Sequence, residues 1–224
     1  MTAMAIDPAG GGKDSEELIA RHGGWFSKPM SSKGKVTEGS GNAIVEVFMT
    51  RRDGAPVVID AGGGYAGVAI KRMEDNHIDY VRFNGASAGS GRARGLNLPF
   101  ANKRAEAFWR FREALDPEQD GGSIIALPPD PELRADLTAP CYDAKVMEGR
   151  GVIQIESKDS LRARLGRSPG KGDVAVMCLS GGESIVEKVV LKGGGRDLPQ
   201  FAKMKSGPLS RYRQRAQKAS KRRR

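Results

Sequence analysis

Histidine and cysteine are scarce in this chain of 224 residues, with two of each. His22 and His77 are too few for a histidine-rich metal site. Cys141 and Cys178 lack CxxC partners, which removes the usual zinc and redox patterns. Both lie in apolar stretches and read as reduced core thiols of an intracellular protein. No run of about 18 apolar residues occurs, so no membrane span is expected. The N-terminus has no basic segment followed by an apolar one, so no secretory signal is expected. A nucleotide-hydrolysing loop is also missing. Gly11-Gly12-Lys13 has Asp7 where a Walker glycine belongs and Asp14 where a Ser or Thr belongs.

Acid is absent from the C-terminal stretch Lys203 to Arg224, which holds ten Lys and Arg. The formal net charge is +10, so the residues before it are formally neutral. Such a basic run is usually solvated and can bind polyanions. The whole chain is 38% hydrophobic and 29% charged, as suits one globular domain with an appendage. We expect a domain over 1–181 and a C-terminal extension over 182–224, with a basic tail.

Apolar runs place strands at 3–7, 56–60 and 77–83, with a hairpin over 18–26. Helical spacing covers 43–52, 68–75 and 102–115, the last capped by Asn102. Shorter helices are expected at 131–137 and 158–165, with Ser157 capping the latter, and a last core helix at 173–179. A hairpin is expected over 142–156. Residues 31–42 and 84–99 read as loops. The order implies an α/β domain whose first strands are antiparallel and whose later ones are parallel.

Three aspartates stand where these elements meet glycine-rich turns. Asp7 ends Met4-Ala5-Ile6 before Gly10-Gly11-Gly12, and Asp60 ends Val57-Val58-Ile59 before Gly62-Gly63-Gly64. Asp173 opens the apolar stretch after Ser168-Pro169-Gly170-Lys171-Gly172, at a helix start whose dipole favours negative charge. Carboxylates at the carboxyl ends of adjacent strands, facing a helix start, would repel one another. A divalent cation is the usual way to hold them together, and the outline is that of a two-metal phosphodiester-cleaving site.

The run Gly62 to Gly67 also matches the dinucleotide fingerprint GxGxxG. Against that reading, Asp60 would repel a pyrophosphate there. Glycines that keep the surroundings of Asp60 open and let a helix approach its strand explain the run more simply. No nucleotide cofactor is expected. The basic residues Lys158, Arg162, Arg164, Arg167 and Lys171 cluster near Asp173 in sequence, and Arg92 and Arg94 lie in the glycine-rich loop. All seven are candidates for contacts to DNA phosphates.

Several ordered segments resemble the nuclease domain of the large terminase subunit of tailed bacteriophages. They are Ile6-Asp7-Pro8-Ala9 through Lys13-Asp14, Val58-Ile59-Asp60-Ala61, Phe100 through Glu106, Leu127-Pro128-Pro129-Asp130 through Leu133, and Ile155-Glu156-Ser157-Lys158 through Ser168-Pro169 to Asp173. The resemblance implies an RNase H-like (retroviral integrase-like) fold, a mixed central sheet flanked by helices. It implies a metal-dependent endonuclease that cuts double-stranded viral DNA during genome packaging, with Mg²⁺ or Mn²⁺ as cofactor. Asp7, Asp60 and Asp173 match the family's metal-binding, catalytic acids. Position 170, directly after Ser-Pro, is glycine where the family commonly carries an acid or histidine, which implies a second ion held less tightly or through water.

The family's ATPase motor has no counterpart before the first strand, so an isolated domain that cuts without translocating is expected. The expected setting is the host cell cytoplasm. Its partners would be double-stranded DNA, with the portal protein and small terminase subunit as further candidates for the tail, and the domain itself monomeric. Two other readings remain open here: a junction resolvase of the same fold, and a non-catalytic module that binds DNA or a partner.

Overall fold

The computed structural model describes residues 1–9, 14–33, 41–62, 64–147 and 150–192. Its centre is strand β1, Ala3–Asp7, whose first four residues are buried. An unbroken apolar run is what a strand covered on both faces requires. Strand β2, Glu16–His22, runs antiparallel to β1, with Asp7 opposite Glu17. The edge of β2 carries two short antiparallel strands, β3 (Trp25–Phe26) and β4 (Met30–Ser32). After helix α1 (Gly41–Thr50), strand β5 (Val57–Asp60) lies parallel to β1, with Ile6 opposite Ile59. Helix α2 (Gly67–Asp75) then crosses over to strand β6 (Tyr80–Phe83), parallel to β5. The sheet order is β3-β2-β1-β5-β6, with β4 also on β2.

Helices α3 (Lys103–Leu115) and α4 (Pro131–Thr138) precede a separate hairpin of β7 (Tyr142–Met147) and β8 (Arg150–Ile155). Helices α5 (Lys158–Leu165) and α6 (Gly170–Lys192) follow. Helices α3, α4 and α5 each start on a side-chain cap. Asn102 accepts from Ala105 N–H, Asp130 from Leu133 N–H and Ser157 from Ser160 N–H. The chain divides into the units Met1–Gly182 and Glu183–Arg224. Of the second unit the described part is the end of α6. The basic tail, which the sequence marks as a polyanion contact, lies outside the described residues.

Strand alternation decides which layer each aspartate meets. Met4, Ile6, Val57 and Ile59 point to one face and pack with Val47, Ile70 and Met73 of α1 and α2. Ala3, Ala5 and Val58 point to the other and pack with Phe108 and Phe111 of α3 and with Val174 to Leu179 of α6. Asp7 continues the series of residues 3 and 5, and Asp60 follows Val58, so a period of two turns both toward α3 and α6. The residues beneath α6 are small, and this brings the helix close. A Cβ on Gly181 would stand 2.6 Å from Val58 Cγ2.

The structure departs from the sequence expectations at several places. Residues 30–32 form β4 within the stretch read as a loop. Strand β6 begins at Tyr80 rather than 77, because His77 adopts φ +52 beyond the end of α2. Helix α6 starts at Gly170, so Asp173 sits within its first turn and donates its N–H to Pro169 O. The loop over 84–99 does contribute to a core, since Ala93 packs with Phe100, Trp109 and Ile153. Of the two cysteines, Cys178 is buried and Cys141 is exposed, so only the first is a core thiol.

Candidate metal centre

Asp7 and Asp60 sit at the carboxyl ends of neighbouring parallel strands, held level by the register of β1 and β5. The first turn of α6 brings Asp173 to the same place. Their carboxylates converge on one ammonium group, that of Lys158, the first residue of α5. Lys158 Nζ lies 2.9 Å from Asp7 Oδ2, 3.1 Å from Asp173 Oδ2 and 3.9 Å from Asp60 Oδ2. Asp60 is steadied by its own turn, where Gly62 N–H donates to Asp60 Oδ1 at 2.9 Å. That amide faces the Asp60 carboxylate.

The charges are mutually dependent. Burial pushes Asp7 up to about 6 against the pull of Lys158, and the charges of Asp60 and Asp173 push it the same way. Burial works against the Lys158 ammonium too, but Asp173, Asp7 and Asp60 outweigh it and hold its pKa above the ordinary lysine value. Arg104 Nη2 reaches Asp173 Oδ1 at 3.5 Å. Asp173 Oδ2 is buried and accepts no hydrogen bond of good geometry. A cavity of about 50 Å³ opens among Asp60, Arg104, Phe108, Lys158 and Asp173.

Among the described residues no three acid, histidine or cysteine side chains are arranged to hold a metal ion directly. The cation that all three carboxylates meet is the Lys158 ammonium. The donor set nonetheless fits a hard divalent cation, since it is made of carboxylate oxygens already gathered around a positive charge.

Folding holds a proton on Asp7 up to about pH 6, whereas the unfolded chain releases it near 3.8. Ionising Asp7 therefore costs folding stability, and that cost is relieved as pH falls through about 6. Without divalent ions, urea unfolding at pH 7.5 and pH 5 should show the wild type gaining stability at the lower pH relative to Asp7→Asn. An equal pH response in the two proteins would contradict this.

The other basic candidates take separate positions, and every one has a partner. Arg162 Nη2 donates to Asp14 Oδ2 at 2.9 Å, while Arg164 holds Glu156 and donates to Ala139 O. Arg167 Nη2 lies 2.6 Å from Asp136 Oδ1, and Lys171 Nζ lies 2.6 Å from Glu132 Oε2. These last two clamp the turn before Asp173 onto α4. Asp136, fully buried, also accepts from Gly172 N–H at 3.2 Å, and burial pushes its carboxyl up against those donors. Arg92 donates to Asn97 O within its loop. Arg94 donates to Gln119 and lines a separate cavity of about 370 Å³ beside Trp109 and Tyr142.

Three residues near the aspartates had no role in the sequence reading. Glu17, opposite Asp7 on β2, is buried; Ser15 and Ser31 hydroxyls donate to its two oxygens. A Cβ on Gly170 would stand 2.7 Å from Glu17 Cγ and 3.8 Å from Asp7 Oδ2, so Glu17 fills the space at that glycine. Asp136 is the second residue and Arg104 the third. A signal for Arg104 was present: Lys103-Arg104 places two cations at a helix N-terminus, against its dipole, and such a pair needs anionic partners.

A mixed sheet in the order β3-β2-β1-β5-β6, flanked by helices on both faces, with acids at the carboxyl ends of β1 and β5, defines an RNase H-like α/β fold of the terminase nuclease kind. The nuclease domain of the large terminase subunit gp2 of bacterial virus Sf6 superposes with a TM-score of 0.63 at 20% identity, over 79% of this chain and 86% of that one. A lysine-to-alanine variant of that nuclease domain, with manganese and β-thujaplicinol, gives a TM-score of 0.61 at 20% identity over the same shares. A lysine-to-alanine variant with calcium gives 0.60 at 18%, over 79% and 87%. At this identity the fold is what is shared. No family model and no curated protein sequence matches the chain.

Proposed function

We propose that this chain is a divalent-metal-dependent endonuclease domain of the terminase large subunit type, cutting double-stranded viral DNA during genome packaging in the host cell cytoplasm. The observation that carries the reading is the convergence of Asp7, Asp60 and Asp173 on a single positive charge. The likeness in fold to a terminase nuclease domain supports it, as do the manganese- and calcium-bound structures of that domain.

Asp7, Asp60 and Asp173 would hold Mg²⁺ or Mn²⁺, two ions in the full reading. Such ions activate a water for attack on the phosphodiester and stabilise the leaving 3′ oxygen. Asp7, on the central strand, would be the first of these ligands. Lys158 would have to withdraw from the carboxylates to admit a cation, and its ammonium would then be free to meet phosphate. Arg162 and Arg164, about half exposed on α5, and Arg92 and Arg94 on the loop supply further phosphate contacts. These contacts read no bases, so little sequence selectivity follows. The portal protein and small terminase subunit are the partners proposed for the basic tail.

The test is incubation with linear duplex DNA in Mn²⁺ or Mg²⁺, with EDTA as control. Cutting of linear duplex that EDTA abolishes is the expected result. Cutting confined to four-way junctions would assign the site to a resolvase, and no cutting in either metal would leave a binding module.

A further inference from the structure

The aspartate held least directly by its own strand or turn is Asp173. Asp7 and Asp60 are fixed by the register of paired strands, but Asp173 projects from the first turn of α6. Something else must aim its carboxylate. Lys158 Nζ meets one oxygen, Oδ2, at 3.1 Å, and Arg104 is the side chain in reach of the other, with Nη2 3.5 Å from Asp173 Oδ1.

Arg104 is itself built in. Its Nη1 donates to Glu156 O at 2.6 Å, at the peptide just before Ser157 and Lys158. Its guanidinium lies over the Phe108 ring, with Cζ 4.6 Å from the centroid, which fixes the plane of the fork. Its backbone N–H donates to Gly85 O, and a Cβ on Gly85 would stand only 3.2 Å from Arg104 Cβ. Arg104 Nε is buried with no hydrogen-bond partner. A charge placed in the first turn of α3, against the dipole and with one N–H unpaired, is costly for the fold alone. Its position between Asp173 and the start of α5 accounts for that cost.

We propose that Arg104 is a positioning residue of the metal centre. One arm of its fork orients Asp173, and the other ties the peptide that launches Lys158, so the acid and the ammonium it faces are set by a single rigid group. This rests on the reading of the three aspartates as a cation site. Lysine cannot replace it, because a point-like ammonium does not span both partners as a planar fork does. Groups that orient metal ligands from behind typically govern metal affinity by about 10–100-fold.

The test compares wild type, Arg104→Ala and Arg104→Lys by calorimetric titration with Mn²⁺ and by crystal structures grown in EDTA. The expected result is a Mn²⁺ affinity at least about tenfold weaker in both variants. In the EDTA crystals the Asp173 carboxylate should leave its wild-type orientation, with Oδ1 swung away from the place of the lost guanidinium while Lys158 keeps hold of the group. Should Arg104→Ala fail to fold, Arg104→Lys keeps the charge and stem and decides the matter alone. Unchanged affinity with Asp173 in its wild-type place would overturn the proposal. If the wild type itself binds no Mn²⁺, the cation reading falls, and the placement of Asp173 in the EDTA crystals still decides whether Arg104 aims it.

Discussion

Asparagine at position 7 or at position 60 is expected to leave the domain folded and to lower DNA cleavage by about 10³-fold or more, a loss of about 4 kcal/mol in transition-state stabilisation. The exchange is nearly isosteric and removes one of the three negative charges that, in the proposed function, hold a dication. The fold should tolerate it because Asp7 gains nothing from being ionised there: burial and its two neighbours already push its carboxyl up to about 6. Lys158 would keep Asp173 at 3.1 Å in the Asp7 variant. Rates on linear duplex DNA in Mn²⁺, together with circular dichroism of each variant, check the result. Cleavage within a few-fold of wild type would remove these aspartates from the chemistry.

The second large effect belongs to Lys158. Lys158→Ala leaves Asp7 and Asp173, both largely buried, without the charge that separates them. Removing one partner of a buried ion pair costs about 3–5 kcal/mol. We therefore expect a markedly lower melting temperature in EDTA. Mn²⁺ should then raise it by more than in wild type, since no ammonium has to be displaced. Thermal melts with and without Mn²⁺ measure both. The same substitution separates two roles for this lysine. If it served only as a phosphate contact, stability in EDTA would hold, and the loss would appear in DNA affinity and its salt dependence.

Much of the site was legible in the sequence because it depends on local pattern. Apolar runs ending in Asp before glycines marked the ends of β1 and β5, and strand alternation carries both acids to one face. The caps at Asn102 and Ser157 follow from residue type alone. What escaped was pairing between distant segments. Nothing in the order of residues says that Lys158 lies 2.9 Å from a carboxylate 151 positions away, and a lysine among arginines reads as a phosphate contact. Arg167 and Lys171 likewise read as free cations, because their partners Asp136 and Glu132 belong to another helix. The start of α6 was placed late, since glycines at 170 and 172 look like a loop. There they leave room for Glu17 and Asp136, which a side chain would strike.

The most direct measurement is anomalous diffraction from crystals soaked in Mn²⁺. The account predicts a peak bounded by the carboxylates of Asp7, Asp60 and Asp173, with the Lys158 ammonium moved out from between them. Crystals that take up no manganese there at saturating concentration, with Lys158 still within 3.1 Å of Asp7 and Asp173, would contradict it.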